Sequence, residues 1–150
     1  MPFDVFTGAL NGFGVTGGAG YTKTKVENAN GDTDQIPGYS EWVANGTLYY
    51  DLNGFSARGS VRYRSEFLAD FTGFGGSPTR RLARAETIFD AQIGYEFQSG
   101  SALEGLSLYI QGQNLTPAPF VSQFDVPEPR AVIDYQDSGR RLLAGFTYKF

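Results

Sequence analysis

The stretch Arg140 to Phe150 constrains the fold of this chain more than any other. Phe150, Tyr148, Phe146, Ala144 and Leu142 are apolar or aromatic, and Lys149, Thr147, Gly145, Leu143 and Arg141 stand between them. A β-strand sends successive side chains to opposite faces, so one face of this segment is almost purely apolar. The other carries charge, hydroxyl and glycine. A bare strand edge ending in aromatic residues invites pairing and aggregation in water. The stretch therefore suits a wall with an apolar medium on one side and a polar one on the other.

The same alternation recurs upstream. Phe13, Val15, Ala19 and Tyr21 share a face opposite Thr16, Thr22 and Thr24. Trp42, Ala44, Gly46, Leu48 and Tyr50 do so opposite Glu41, Val43, Asn45, Thr47 and Tyr49. Asp51-Leu-Asn-Gly54 is a hairpin turn, because Asn-Gly supplies positive φ. Phe55, Ala57, Gly59, Val61, Tyr63 and Phe67 then oppose Ser56, Arg58, Ser60, Arg62, Arg64 and Glu66. Phe89, Ala91, Ile93, Tyr95 and Phe97 oppose Asp90, Gln92 and Glu96, and Leu106, Leu108, Ile110 and Gly112 oppose Ser107, Tyr109, Gln111 and Gln113. This pattern predicts an all-β chain, an antiparallel up-and-down meander of about six strands. Short connections (51–54 and 98–105) alternate with long polar ones (26–39, 69–84 and 115–138). Transmembrane β-barrels have that rhythm, with short periplasmic turns and long outer loops. The expected fold is thus the C-terminal segment of a transmembrane β-barrel, with Phe150 on the periplasmic side.

Composition narrows the function. Twelve Lys and Arg against 16 Asp and Glu leave no basic field for nucleic acid. The absence of Cys and His excludes disulfides, thiolate chemistry and any Ser-His pair, so no enzyme activity and no catalytic residue is expected. Neither a cofactor nor a metal site is expected: the Asn28-Ala-Asn-Gly-Asp32 cluster lacks the ligand spacing of an EF-hand and reads as a solvated loop. A mean hydropathy of -0.28 fits a wall that interleaves lipid-facing and lumen-facing residues. No apolar run approaches the ~20 residues of a membrane helix.

Several motifs together resemble the C-terminal part of a TonB-dependent outer-membrane receptor. They are Leu10-Asn-Gly-Phe-Gly-Val15, Gly54-Phe-Ser-Ala-Arg58, Tyr63-Arg-Ser65, Leu108-Tyr-Ile-Gln-Gly-Gln-Asn-Leu-Thr116, Gly139-Arg-Arg141 and Tyr148-Lys-Phe150. The resemblance covers nearly the whole chain and lies in the order and spacing of these motifs. It implies a plugged barrel of 22 strands in the bacterial outer membrane, taking up a scarce ligand of the siderophore-iron, vitamin or carbohydrate class. Phe150, Tyr148, Phe146, Ala144 and Leu142 also match the terminal signal that the barrel assembly machinery reads. Residues 1–150 are expected to be the last strands of such a receptor. Its signal peptide, plug and TonB-contacting box would lie upstream, so TonB would be engaged only through that N-terminal region.

On this reading Arg58, Arg62, Arg64, Glu66, Asp90 and Glu96 face the lumen, where they either solvate the wall by pairing with each other or line the path of the ligand. Phe71, Phe74, Arg80 and Arg81 occupy an outer loop that could touch an anionic ligand. The expected partners are outer-membrane lipid, the assembly machinery and the transported small molecule. The alternatives are a small structural or adhesion barrel, which needs at least eight strands, a barrel enzyme, which the missing His disfavours, and a soluble β-sandwich.

Overall fold

The computed structural model describes residues 11–27, 31, 33–72, 78–124 and 132–150. Every regular element among them is a strand: β1 (Phe13–Tyr21), β2 (Val26–Glu27), β3 (Thr33–Asp34), β4 (Trp42–Leu52), β5 (Phe55–Arg64), β6 (Phe67–Thr72), β7 (Pro78–Ala83), β8 (Glu86–Glu96), β9 (Leu106–Gln113), β10 (Phe120–Phe124), β11 (Val132–Gln136) and β12 (Arg141–Tyr148). Six of these form one antiparallel sheet in the order β1-β4-β5-β8-β9-β12, which is the meander read from the alternating pattern. Among the described residues β1 and β12 each have a neighbour on one side only, and the sheet does not close on itself.

The turns explain the register. Asn53 and Gly54 both have positive φ, 52° and 82°, the conformation of the two-residue hairpin turn whose twist matches its strands. Leu52 therefore pairs with Phe55, and the register continues without a slip to Val43 and Arg64. At the β8–β9 connection the Gly100 N–H donates to Glu104 Oε2 (2.8 Å). The Lys149 N–H donates to the Gly105 carbonyl (2.9 Å). The C-terminus thus lies at the same end as the short turns.

Unbroken register carries the alternation across all six strands. Val15 is level with Leu48, Leu48 with Gly59, Gly59 with Ala91, Ala91 with Gly112 and Gly112 with Leu142. Every residue in that row is small or apolar. The rows on either side add Phe13, Ala19, Tyr50, Ala57, Val61, Phe89, Ile93, Ile110 and Ala144. None of these side chains is buried: Trp42 is 51% exposed, Ile110 63%, Phe146 73% and Leu142 75%. The sheet has one continuous apolar face, and nothing among the described residues packs on it. Tyr21 stacks on Trp42 (ring centroids 4.8 Å) at the long-connection end. Phe13–Tyr50 (4.6 Å), Tyr95–Phe97 (5.1 Å) and Tyr148–Phe150 (6.0 Å) line the short-turn end. Aromatic rings therefore border the aliphatic band at both ends.

The three long connections are not plain loops. The first contains the β2–β3 ribbon, and the other two supply a second antiparallel sheet, β11-β10-β7-β6. Its central pairing joins the two connections, Ser122 to Ala83, Gln123 to Leu82 and Phe124 to Arg81. The buried apolar side chains of the described residues, Leu68, Ala69, Ala83 and Val121, gather in this small sheet. The expectation of polar loops over 69–84 and 115–138 is corrected accordingly. These segments carry enough apolar residues to pair and bury a core once brought together.

β5 also ends earlier than its alternation predicts. The pattern ran on through Glu66 and Phe67, but β5 ends at Arg64 and Phe67 opens β6. The Arg64 guanidinium lies 3.8 Å from the Phe67 ring centroid. Phe67 therefore covers a polar-face side chain instead of joining Phe55 and Val61 on the apolar face.

Candidate functional site

The face opposite the apolar one carries the chemistry. Arg58, Arg62 and Arg64 of β5 share it with Asp90 and Glu96 of β8, as the register requires: Ser60 pairs with Asp90, Arg62 with Ile88 and Arg58 with Gln92. Glu66 lies in the link between β5 and β6, outside the six-stranded sheet.

The three arginines have three different surroundings. Arg62 reaches across to Asp90 (Nη2 to Oδ2, 3.4 Å), with the arginine side chain 64% exposed and the aspartate 25%. An ion pair this open contributes little to stability, ~0–1 kcal/mol. Asp90 does more with its other oxygen, which accepts the Asn114 N–H at 2.9 Å and fixes the chain where it leaves β9. Arg64 finds oxygen elsewhere: its Nε donates to Ser40 Oγ (2.7 Å) and its Nη2 to the Gly38 carbonyl (2.9 Å). Ser40 Oγ donates in turn to the Ser65 carbonyl (2.9 Å), and the Gly38 N–H donates to the Leu68 carbonyl (2.7 Å). Arg64 thus ties the first long connection to the start of the second. Arg58 stands beside Tyr49, Asp51 and Gln92 in a shallow cleft of about 120 Å³ near the short turns.

Of the residues read as an outer ligand-contacting loop, Arg81 is in β7 and its Nη1 lies 3.6 Å from Asp134 Oδ2 on β11, with the arginine side chain 21% exposed. Asp134 Oδ2 also accepts from the fully buried Ser122 hydroxyl (3.1 Å). Arg81 is therefore part of the seam that joins two connections into one sheet. The backbones of Phe71 and Arg80 lie in β6 and β7. Phe74 is outside the described residues. At the terminal strand, Leu142, Ala144, Phe146 and Tyr148 line the apolar face of β12, and Phe150 is fully exposed beyond its end.

A larger cleft lies where the polar face meets the long connections. It is a cleft of about 390 Å³ lined by Arg62, Glu86, Asp90, Asn114, Phe120 and Arg141, with Ile88, Gln113, Ala118, Ser138 and Gly139 between them. Asn114 shapes it. Its φ of 53° is a left-handed conformation that Asn tolerates better than most residues, and it reverses the chain so that the Leu115 side chain folds back over Gly112. The Asn114 Nδ2 donates to the Gly139 carbonyl (2.8 Å), while its buried Oδ1 has no hydrogen-bond partner among the described residues. Composition and alternation could not point to this cleft, because it depends on a turn after β9 meeting the turn before β12. The one local signal was Asn114 itself, a residue suited to left-handed backbone at a strand end.

Among the described residues no three acidic groups converge as a metal site would require. No family model, curated protein or solved structure matches the chain.

Proposed function

We propose that this chain forms part of the wall of a bacterial outer-membrane barrel, in a TonB-dependent receptor that takes up a scarce small molecule. One observation carries the membrane part of this reading: the apolar face that runs unbroken across six strands, with nothing among the described residues packed on it. Water-soluble monomers rarely leave apolar patches beyond a few hundred Å² uncovered, whereas lipid requires such a face. Strand length agrees for β1, β4, β5 and β8, while β9 and β12 have eight residues each. β4, β5 and β8 have 11, 10 and 11 residues, and a tilted strand needs about 9–11 to cross the hydrocarbon. In lipid the open edges of β1 and β12 would leave backbone groups unsatisfied at several kcal/mol each, so the sheet acts there as a section of a larger closed wall. The receptor part of the proposal rests on the order of the sequence motifs, and the ligand classes follow from that resemblance.

Trp42 makes the membrane reading testable, because it is the only tryptophan and it stands on the apolar face. The chain is refolded into vesicles whose acyl chains carry bromine. The expected result is strong quenching of Trp42 by the brominated lipid and little by aqueous iodide; the reverse result defeats the reading. The receptor reading is checked in the source DNA. Continuation of the frame upstream into further alternating strands and a plug supports it. A stop codon just upstream instead leaves the small structural or adhesion barrel.

A further inference from the structure

Arg64 has two sets of acceptors within reach and uses one of them. Its Nε donates to Ser40 Oγ (2.7 Å) and its Nη2 to the Gly38 carbonyl (2.9 Å), both on the first long connection. The other acceptor is the half-buried Glu86. Arg64 and Glu86 are direct cross-strand partners of β5 and β8, so their Cβ atoms stand about 4.5–5.5 Å apart on the same face. An arginine side chain spans that gap. Yet among the described residues no ion pair joins the two, and Glu86 makes no side-chain hydrogen bond.

The neighbouring charges are otherwise engaged. Arg62, the next arginine on the same face, lies 3.4 Å from Asp90. The Arg84 Nε donates to Gln123 Oε1 (2.9 Å). Glu41, at the start of β4, accepts from Gln35 Nε2 (3.5 Å). Arg64 is thus the cation placed to answer Glu86, and Glu86 the carboxylate placed to draw Arg64 away from Ser40.

The two arrangements are of comparable strength. On the first connection the guanidinium makes two charged hydrogen bonds to neutral oxygens and lies 3.8 Å from the Phe67 ring centroid, a cation–π contact. On Glu86 it would make an ion pair at a partly exposed site, where full charges attract through a screening medium.

Each arrangement acts on a different part of the molecule. Ser40 is buried, accepts from Arg64 and donates to the Ser65 carbonyl (2.9 Å). The Trp42 N–H donates to Ser65 Oγ (3.1 Å) and the Gly38 N–H to the Leu68 carbonyl (2.7 Å). Removing the guanidinium takes two of the bonds that pin this segment. Glu86, for its part, lines the cleft of about 390 Å³.

We infer that Arg64 is a two-position latch between that cleft and the first long connection. With the guanidinium on Ser40 and Gly38 the connection is pinned, and the Glu86 carboxylate is available to the cleft. With the guanidinium on Glu86 the connection is released at 38–42, and the carboxylate is neutralised. A cationic group that takes Glu86 in the cleft therefore holds the connection down, and by linkage the pinned connection favours that cation. The latch lies on the polar face and does not rest on the membrane reading.

The test is amide hydrogen exchange at Gly38 and Trp42, read by NMR on the full chain in detergent micelles. Arg64→Gln removes the latch and should speed exchange at both amides by about tenfold, with the amides of β9 unchanged. Glu86→Gln removes the competing acceptor and should slow exchange at both by about threefold. That sign is diagnostic, because loss of a nearby negative charge alone speeds base-catalysed exchange. With both changes together the rates should equal those of Arg64→Gln, since Glu86 acts only through Arg64. Exchange in Glu86→Gln that is unchanged or faster overturns the inference. So does an effect of Glu86→Gln that persists when Arg64 is replaced. Should Arg64→Gln fail to fold, Glu86→Gln decides alone. Lipid quenching of Trp42 reports separately on the membrane reading, so failure of one leaves the other standing.

Discussion

Tyr49 and Tyr109 lie across glycines of the two edge strands. A Cβ added at Gly14 of β1 would overlap the Tyr49 ring, and one at Gly145 of β12 would overlap the ring of Tyr109. Each tyrosine is the direct cross-strand neighbour of the glycine it covers. Aromatic cover of an edge glycine restores packing that the missing side chain gives up and fixes register. Gly14→Val and Gly145→Val should therefore each cost about 1–3 kcal/mol, the usual range for forced overpacking, seen as a lower urea midpoint at unchanged slope. Tyr49→Ala should recover part of the loss in the Gly14 variant and none in the Gly145 variant. Asn114 obeys a different constraint. Val there meets a left-handed backbone that a β-branched residue resists, at a cost of about 1–3 kcal/mol. Asn114→Gly keeps the backbone and loses only the bond to Gly139, so its measured loss should be the smaller.

The strands differ in how openly the sequence announces them. β4, β5, β8, β9 and β12 were legible because each keeps an apolar residue at every second position for most of its length, and the Asn53-Gly54 turn fixes where one run ends and the next begins. The second sheet was not legible. β10, Phe-Val-Ser-Gln-Phe, is only five residues long and buries Ser122 beside Val121, so no clean period shows. Its partner β7 comes from a different connection, and a local pattern does not reveal a distant partner. Phe67 misled for a related reason. It falls on the odd-numbered series that starts at Phe55, yet Ser65 and Glu66 redirect the chain before it. The arginines and carboxylates of the polar face were likewise readable from the period of two, but the partners of Arg64 and Arg81 were not, because they lie in other connections. Asp134 offers a direct test of the second sheet. Asp134→Ala leaves the buried Ser122 hydroxyl without its acceptor and removes the 3.6 Å ion pair to Arg81, which should cost about 1–3 kcal/mol. Hydrogen exchange should speed up in 120–124 and 78–83 while 106–113 stays protected.

For the molecule as a whole, the two faces of one sheet predict opposite responses to the same substitution. Ile110 and Gln111 are neighbours on β9 that point to opposite sides. If the apolar face meets lipid, Ile110→Arg should destabilise the folded chain in vesicles by about 2–4 kcal/mol, while Gln111→Arg on the lumen side changes little. In water an exposed Ile replaced by Arg would be close to neutral. Equal effects of the two changes in vesicles would therefore remove the lipid assignment. The topology carries a consequence of its own. Five antiparallel pairings separate β1 from β12, so these two strands run in opposite directions, and both short turns lie at one end. The repeating unit is then a hairpin, and a hairpin can be duplicated, deleted or grafted without reversing any neighbour or exchanging the polar and apolar faces. Lineages of such sheets would accordingly grow and shrink in steps of two strands.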